Sequence, residues 1–390
     1  MSYQVTLYTH ETKAKKDREE QNQVNHYEQN LIENVVASQV LARIRPLDDQ
    51  TIPELGEDGN RQFFVVEDPA VLLGDNVIIP ADDPQIIIST SNGYVRIDNN
   101  RIEVRETLVI DGDVNFKTGN LTFIGTIIVK GSVFAGFSVK ARQLVVEGSI
   151  EGAHIEVDEH LIVRGGIIAC KAGEVYCGGT IAVKYVENSA LRAKGDIFIE
   201  KSALHSQLSA GGSIVFLHEP GVLVGGSCQA KNSVFAKVIG AKWATPTTII
   251  LGINPFLMEE RKLLLADLEA KEAERQEVEE RLNEIHLYLQ EDHDQASRKE
   301  ELRLDEEREL LTAKRAYVDE QLLLLHARLH PLEEKIKLEK EVNNSSRLYA
   351  FDTLFPGVAI TIKDSTIKCD SLYSGVFYYE ENQELKLGKT

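Results

Sequence analysis

The residues best suited by type and spacing to chemistry lie in one run, His154-Ile155-Glu156-Val157-Asp158-Glu159-His160. On a single straight strand, residues two apart share a face. His154, Glu156, Asp158 and His160 would then line up, and two histidines at that spacing can ligate zinc. The plainer reading is preferred: Ile155, Val157 and Leu161 point inward, and the polar set is the solvated side of the same strand. Asp111, Asp113, Glu147, Glu151, Glu156 and Asp158 supply acids for hydrolysis of a glycosidic bond. That chemistry needs two carboxylates facing each other about 5–9.5 Å apart, and acids are ordinary surface residues. The four cysteines, Cys170, Cys177, Cys228 and Cys369, include no close pair of the kind zinc sites use, and they read as small buried apolar residues. The pairs Gly165-Gly166, Gly178-Gly179, Gly211-Gly212 and Gly225-Gly226 lack the strand-to-helix setting of a phosphate loop. Trp243 is expected to cap a core rather than to hold a ligand. No catalytic residue, metal ligand or cofactor-binding residue is singled out, and no cofactor is expected.

Most of these residues belong to a stretch that repeats itself. The column Ile127, Leu144, Leu161, Ile181, Ile197, Ile214, Val234 advances by 17, 17, 20, 16, 17 and 20 residues. Two residues on runs Val129, Val146, Val163, Val183, Ile199, Phe216, Ala236. A third column is Val139, Ile155, Val175, Leu191, Leu208, Cys228, followed two residues on by Ala141, Val157, Cys177, Ala193, Ala210, Ala230. An apolar period of this length means stacked coils, none of which buries its own apolar face alone. Alternation within each coil is strand spacing. Glycines 131, 136, 148, 152, 165 and 166 fall where the chain must bend. Residues 106–255 therefore read as a single-stranded β-helix, a β-solenoid with about three strands per coil, expected to be right-handed. Roughly eight coils at the inter-strand spacing make a rod about 40 Å long. The steps of 20 place loops near 170–173 and 218–221. Steps of 16, 17 and 20 do not suit a hexapeptide acyltransferase.

The flanking segments differ in kind. Residues 1–34 are polar and charged and read as a tail. Residues 35–105 read as a small β-rich domain, with strands near 61–67, 76–79, 94–97 and 102–104, and a tight turn at Asn99-Asn100. After Pro255 the composition turns to Glu, Lys, Arg, Leu and Ala. Residues 257–342 hold 25 acids and 15 bases, a net −10. Heptad spacing runs through Leu257, Arg261, Leu264, Leu268, Lys271, Arg275, Val278, Leu282, Ile285 and Leu289, and again through Leu304, Arg308, Leu311, Arg315, Val318, Leu322, Leu325, Leu329, Leu332 and Ile336, with long basic side chains at the charged positions. The polar break at 290–297, with Ser297 as N-cap, makes 256–343 an antiparallel coiled-coil hairpin. Leu289 would meet Leu304, Leu282 meet Leu311, and Leu257 meet Ile336. Each arm would reach roughly 50–60 Å, with a kink at Pro331. Residues 344–390 return to strand patterns and are expected to complete or cap the solenoid, whose bare end needs a cover.

Composition narrows the partners. The formal net charge is −19 and no basic cluster stands out, so nucleic acid is not expected. No apolar run reaches the length of a membrane helix, and the first residues lack the form of a signal peptide, so a cytoplasmic location is expected.

Several motifs occur in a recognisable order: Asp111-Gly112-Asp113-Val114, Thr118 to Gly125, Val129-Lys130-Gly131-Ser132-Val133, Val146 to Ala153, Val163-Arg164-Gly165-Gly166-Ile167, Ala193 to Ile197, Leu223 to Ser227 and Thr247 to Pro255. In these the chain resembles the β-solenoid domain of the bacterial flagellar assembly protein A family. The helical segment after Pro255 and the closing Phe355-Pro356-Gly357-Val358 also look like that family, while the first 60 or so residues match poorly. The resemblance implies a link to flagellum assembly or polar organisation and implies no catalytic residues. The expected function is a non-enzymatic scaffold. Its solenoid is a rigid rod, its coiled coil an arm for protein partners, and copies self-associate. A carbohydrate-active β-helix enzyme and a regulatory module for a signalling protein are the alternatives.

Overall fold

The computed structural model describes residues 2–8, 33–47, 63–168, 174–290, 298–342 and 345–389. The loop expected at 170–173, all but Gln290 of the turn expected at 290–297, and residues 9–32 of the expected tail lie outside them. Ser2–Leu7, expected as polar tail, is instead a sheet strand, because its apolar Val5 and Leu7 are buried.

The apolar columns are the register of the rod. Leu108, Ile127, Leu144, Leu161, Ile181, Ile197, Ile214 and Val234 pair in succession through parallel ladders. They form the first face, and all are buried. Leu121, Val139, Ile155, Val175, Leu191, Leu208, Cys228 and Ile249 form the second. The third runs through Val114, Val133, Ile150, Ile167, Val186, Ala203, Leu223 and Ile239. Three faces and about seven turns define a β-solenoid. One continuous hydrophobic core fills it.

Space dictates the corner glycines as much as backbone freedom does. Gly136 and Gly152 have positive φ, 84° and 57°, the region where a side chain is strained. Gly131, Gly148 and Gly165 do not. A Cβ on Gly148 would lie 2.4 Å from Ser132 Oγ and 2.6 Å from Gly131 O of the preceding coil. The hydroxyls there form a staircase: Ser149 N donates to Ser132 Oγ, and Gly166 N donates to Ser149 Oγ.

The helices interrupt the rod at one kind of corner. Between second and first faces, Cys177 leads to Ile181, Ala193 to Ile197, Ala210 to Ile214 and Ala230 to Val234, each time through three residues. At the next corner Leu251 is followed by α1 (Pro255–Gln290) and α2 (Arg298–Val342). The chain returns at Arg347–Leu354, where Leu348 pairs with Val234 in parallel and Ile360 pairs with Ile249. Residues after the helices thus complete the coil begun before them. Ladder direction then reverses. Tyr373–Glu381 joins Arg347–Leu354 antiparallel, and Glu384–Lys389 joins Tyr373–Glu381.

Before the rod, Phe63–Val66, Ser2–Leu7, Val40–Leu47, Ile86–Ser89 and Val77–Ile78 form an antiparallel sheet in that order, and Asn34–Val35, Gly93–Asp98 and Arg101–Arg105 form another. Asn99 and Asn100 have φ of 49° and 59°, which suits a tight hairpin turn. Asn34 ties this region to the rod: its amide donates to Thr122 O and accepts from Ile124 N. Among the described residues no helix is long and apolar enough to cross a membrane.

Candidate interaction site

The run from His154 to His160 does not make one face. Val157 and Leu161 are both buried, paired with Ala141 and Leu144 of the coil before. Asp158, Glu159 and His160 are the three corner residues between them. His154 and Glu156 therefore stand on the second face, while His160 opens the first. The alignment expected on a straight strand fails because the strand bends there. Glu156 pairs with Lys140 at 2.9 Å. Glu159 accepts from Gln143 at 2.6 Å and lies 3.6 Å from Arg142; the Gln143 bond, then Arg142, holds its carboxyl below the ordinary value. Among the described residues no cluster of three or more His, Cys, Asp or Glu is arranged for a metal ion.

Other candidate groups are engaged between coils. Asp111 pairs with Lys130 at 2.6 Å and Glu147 with Arg164 at 2.8 Å, while Asp113 accepts from Ser132 N at 2.7 Å. The amides of Gly178, Gly211 and Gly212 donate to carbonyls of the preceding coil, so they are committed to the ladder. Cys177, Cys228 and Cys369 are buried. Burial raises all three thiols, that of Cys228 to about 12, and a protonated thiol is a poor nucleophile. Cys170 lies outside the described residues. Trp243 overturns its expectation: it is 92% exposed. It sits in the 240–246 connection, which runs outside the coil from Ile239 to Thr247.

The helices are the larger departure from the rod, and local chemistry starts them cleanly. Asn254 Oδ1 accepts from Phe256 N at 3.1 Å, an N-cap followed by proline at the first helical position, where no N–H is needed. The same Pro255 that cannot continue the sheet begins α1. The two helices run antiparallel. Arg261 meets Glu333, Glu274 meets Lys314, and Arg281 meets Glu307. Ile253, Leu257, Leu264, Leu268, Val318, Leu322, Leu329, Leu332 and Ile336 form one buried cluster between them. α2 runs through Pro331 as a single element.

Polar contacts clamp the root. Glu339 accepts from Lys231 Nζ at 2.7 Å and from Asn254 N at 3.0 Å, and its side chain is only 13% exposed. Lys340 pairs with Asp364 at 2.5 Å. Arg192, on the second face, pairs with Glu259 and lies 5.5 Å over the Phe256 ring. These contacts join residues up to 108 positions apart. Heptad periodicity gives no sign of them, so the sequence reading missed the root. One flank of α2 carries an open apolar row: Leu310, Tyr317 and Leu324 recur every seven residues, all more than half exposed, and Leu338 continues it.

The sequence from the first coil to the end strands, residues 106–385, matches the family described as the Flagellar Assembly Protein A beta solenoid domain. The chain belongs to this family. Searches of curated proteins and of solved structures return no match. The part shared with the flagellar assembly protein A family includes the rod, both helices and the closing strands, so the inserted helices lie within the family domain. The sheets before residue 106 lie outside it.

Proposed function

We propose that the protein is a non-enzymatic cytoplasmic scaffold in flagellum assembly or polar organisation. In this reading the solenoid is a right-handed rigid rod, and the helices are an antiparallel coiled coil that carries a protein-binding surface away from it. Copies of the chain also associate with one another. The parts divide as a small β domain at 35–105 to which Ser2–Leu7 adds a strand, the solenoid at 106–255, the arm at 256–343 and the closing strands at 344–390. The observation that carries the reading is the arm itself. It leaves a corner that elsewhere takes three residues, its root is clamped by Glu339 and Arg192, and Leu310, Tyr317 and Leu324 stay exposed on α2. Apolar rows of this kind on a helix are recognition surfaces. A regulatory module for a signalling protein would use the same surface.

The test is co-purification from the native cell with three chains: the native one, one lacking the arm, and Leu310→Asp/Leu324→Asp. Partners recovered with the native chain are expected to be lost from both variants. Recovery of the same proteins with all three would rule out the arm as the binding element.

A further inference from the structure

The outward side of the first face carries a row that inward periodicity does not require. Its centre runs Val109, Ile128, Val145, Ile162, Ala182, Phe198, Val215, Phe235, Tyr349, Phe377, in register from strand to strand. Every member is apolar or aromatic. Val109 and Ile162 are 44% and 41% exposed. The second face of the same rod is different. Its outward row, Thr122, Lys140, Glu156, Tyr176, Arg192, Ser209, Gln229, Ile250 and Thr361, is polar apart from one tyrosine and one isoleucine, and there Arg192 meets the arm. Toward the chain's end the apolar row covers itself, with the Phe235 and Tyr349 rings stacked at 4.8 Å. From Val109 to Val215 every member of the row is partly or well exposed among the described residues.

Charge points to the occupant. Two residues beyond the apolar row, the outward positions are Asp111, Lys130, Glu147, Arg164, Lys184, Glu200 and Leu217. Three bases and three acids make this edge neutral in a chain of net charge −19, so two such faces can meet without the repulsion that the rest of the surface would impose. Around Arg164 the order is complementary on either side, and the two Arg164 side chains that meet at the centre are each already paired with Glu147 of their own chain. A second copy turned end for end places its Glu200 opposite Lys130 and its Lys184 opposite Glu147. The apolar row then sets Val145 against Ala182 and Ile128 against Phe198, larger against smaller. Seven coils at about 4.8 Å, three columns wide, give roughly 500 Å² per copy and about 1,000 Å² for the pair, the least a specific interface needs.

We propose that two copies of the chain pack first face to first face, rods antiparallel, with the two-fold axis at Arg164. A two-fold contact uses the same patch on both copies. The proposal rests on the self-association in the reading above and gives it a place and a symmetry. Sedimentation equilibrium of the full chain tests it, with circular dichroism confirming that each variant is folded. The native chain is expected to dimerise. Ile162→Asp, at a solvent-facing position, is expected to sediment as a monomer. Lys130→Glu sets two like-charged pairs in the interface and is expected to weaken it by at least about tenfold, and adding Glu200→Lys is expected to restore it. A dimer unchanged by Ile162→Asp would overturn the proposed face and leave self-association standing. A native chain that is monomeric at every concentration would remove both. Failure of the double charge variant to recover would overturn the antiparallel register.

Discussion

Gly148 and Gly112 look alike in the sequence, each beside a charged residue in the first coils, yet the structure separates them. A Cβ at Gly148 would meet the backbone of the neighbouring coil, whereas one at Gly112 would meet nothing within 4 Å. Gly148→Ala is therefore expected to destabilise the rod by about 1–3 kcal/mol, because a tightly packed ladder must shift. Gly112→Ala should stay within about 0.5 kcal/mol of the native chain. Comparison of the two denaturant midpoints checks this, and equal midpoints would refute it. The buried members of the columns were legible one by one, Cys177 and Cys228 included, since each stands where its neighbours are apolar. The corner at Asp158–His160 was not. A period counts residues per coil without saying which of them bends, so four polar side chains on two faces looked like four on one. Trp243 misled for a related reason. Its size argued for burial, but it falls in a connection outside the coil.

The element that the sequence described best is the helix pair. Part of each apolar repeat is buried, Leu257, Leu264, Leu268, Val278 and Ile285 on α1 and Val318, Leu322, Leu329, Leu332 and Ile336 on α2, while Leu282, Leu289, Leu304, Leu311 and Leu325 are only half-buried. Val278 lies mid-way along α1 and is 3% exposed. Val278→Asp places an unpaired charge between the helices and should cost the arm about 2–4 kcal/mol. The helical circular dichroism signal should melt earlier while the β signal stays at its native temperature. Helices unaffected by the change would contradict the buried position, and simultaneous loss of both signals would show that arm and rod unfold as one unit. The root contacts, by contrast, join distant residues through a few polar groups. Arg192–Glu259 and Lys231–Glu339 leave no periodic trace, so only three dimensions reveal them.

For the molecule as a whole, the rod is the framework and the arm an addition to one corner. Replacing residues 252–347 by Gly-Gly-Ser, the corner found at 211–213, should leave Leu251 and Leu348 connected as Ala210 and Ile214 are. Such a chain is expected to be soluble, to lose its helical signal and to keep its β signal. An insoluble product would mean that the arm is needed to build the last coil. That coil also has a consequence for biosynthesis. Earlier strands of the first face find their partners 16 to 20 positions along the chain, but Val234 must wait for Leu348. At about 5–20 residues per second the ribosome leaves the edge of Val234–Ile239 open for roughly 5–20 s, and an open edge invites pairing with other chains. Helices form from local contacts far sooner than that. As the two helices fold back on each other they bring Leu251 and Leu348 together and shorten the loop that must close. The arm would then guard the nascent rod, gathering the late strand to the waiting edge before a neighbouring polypeptide can take its place.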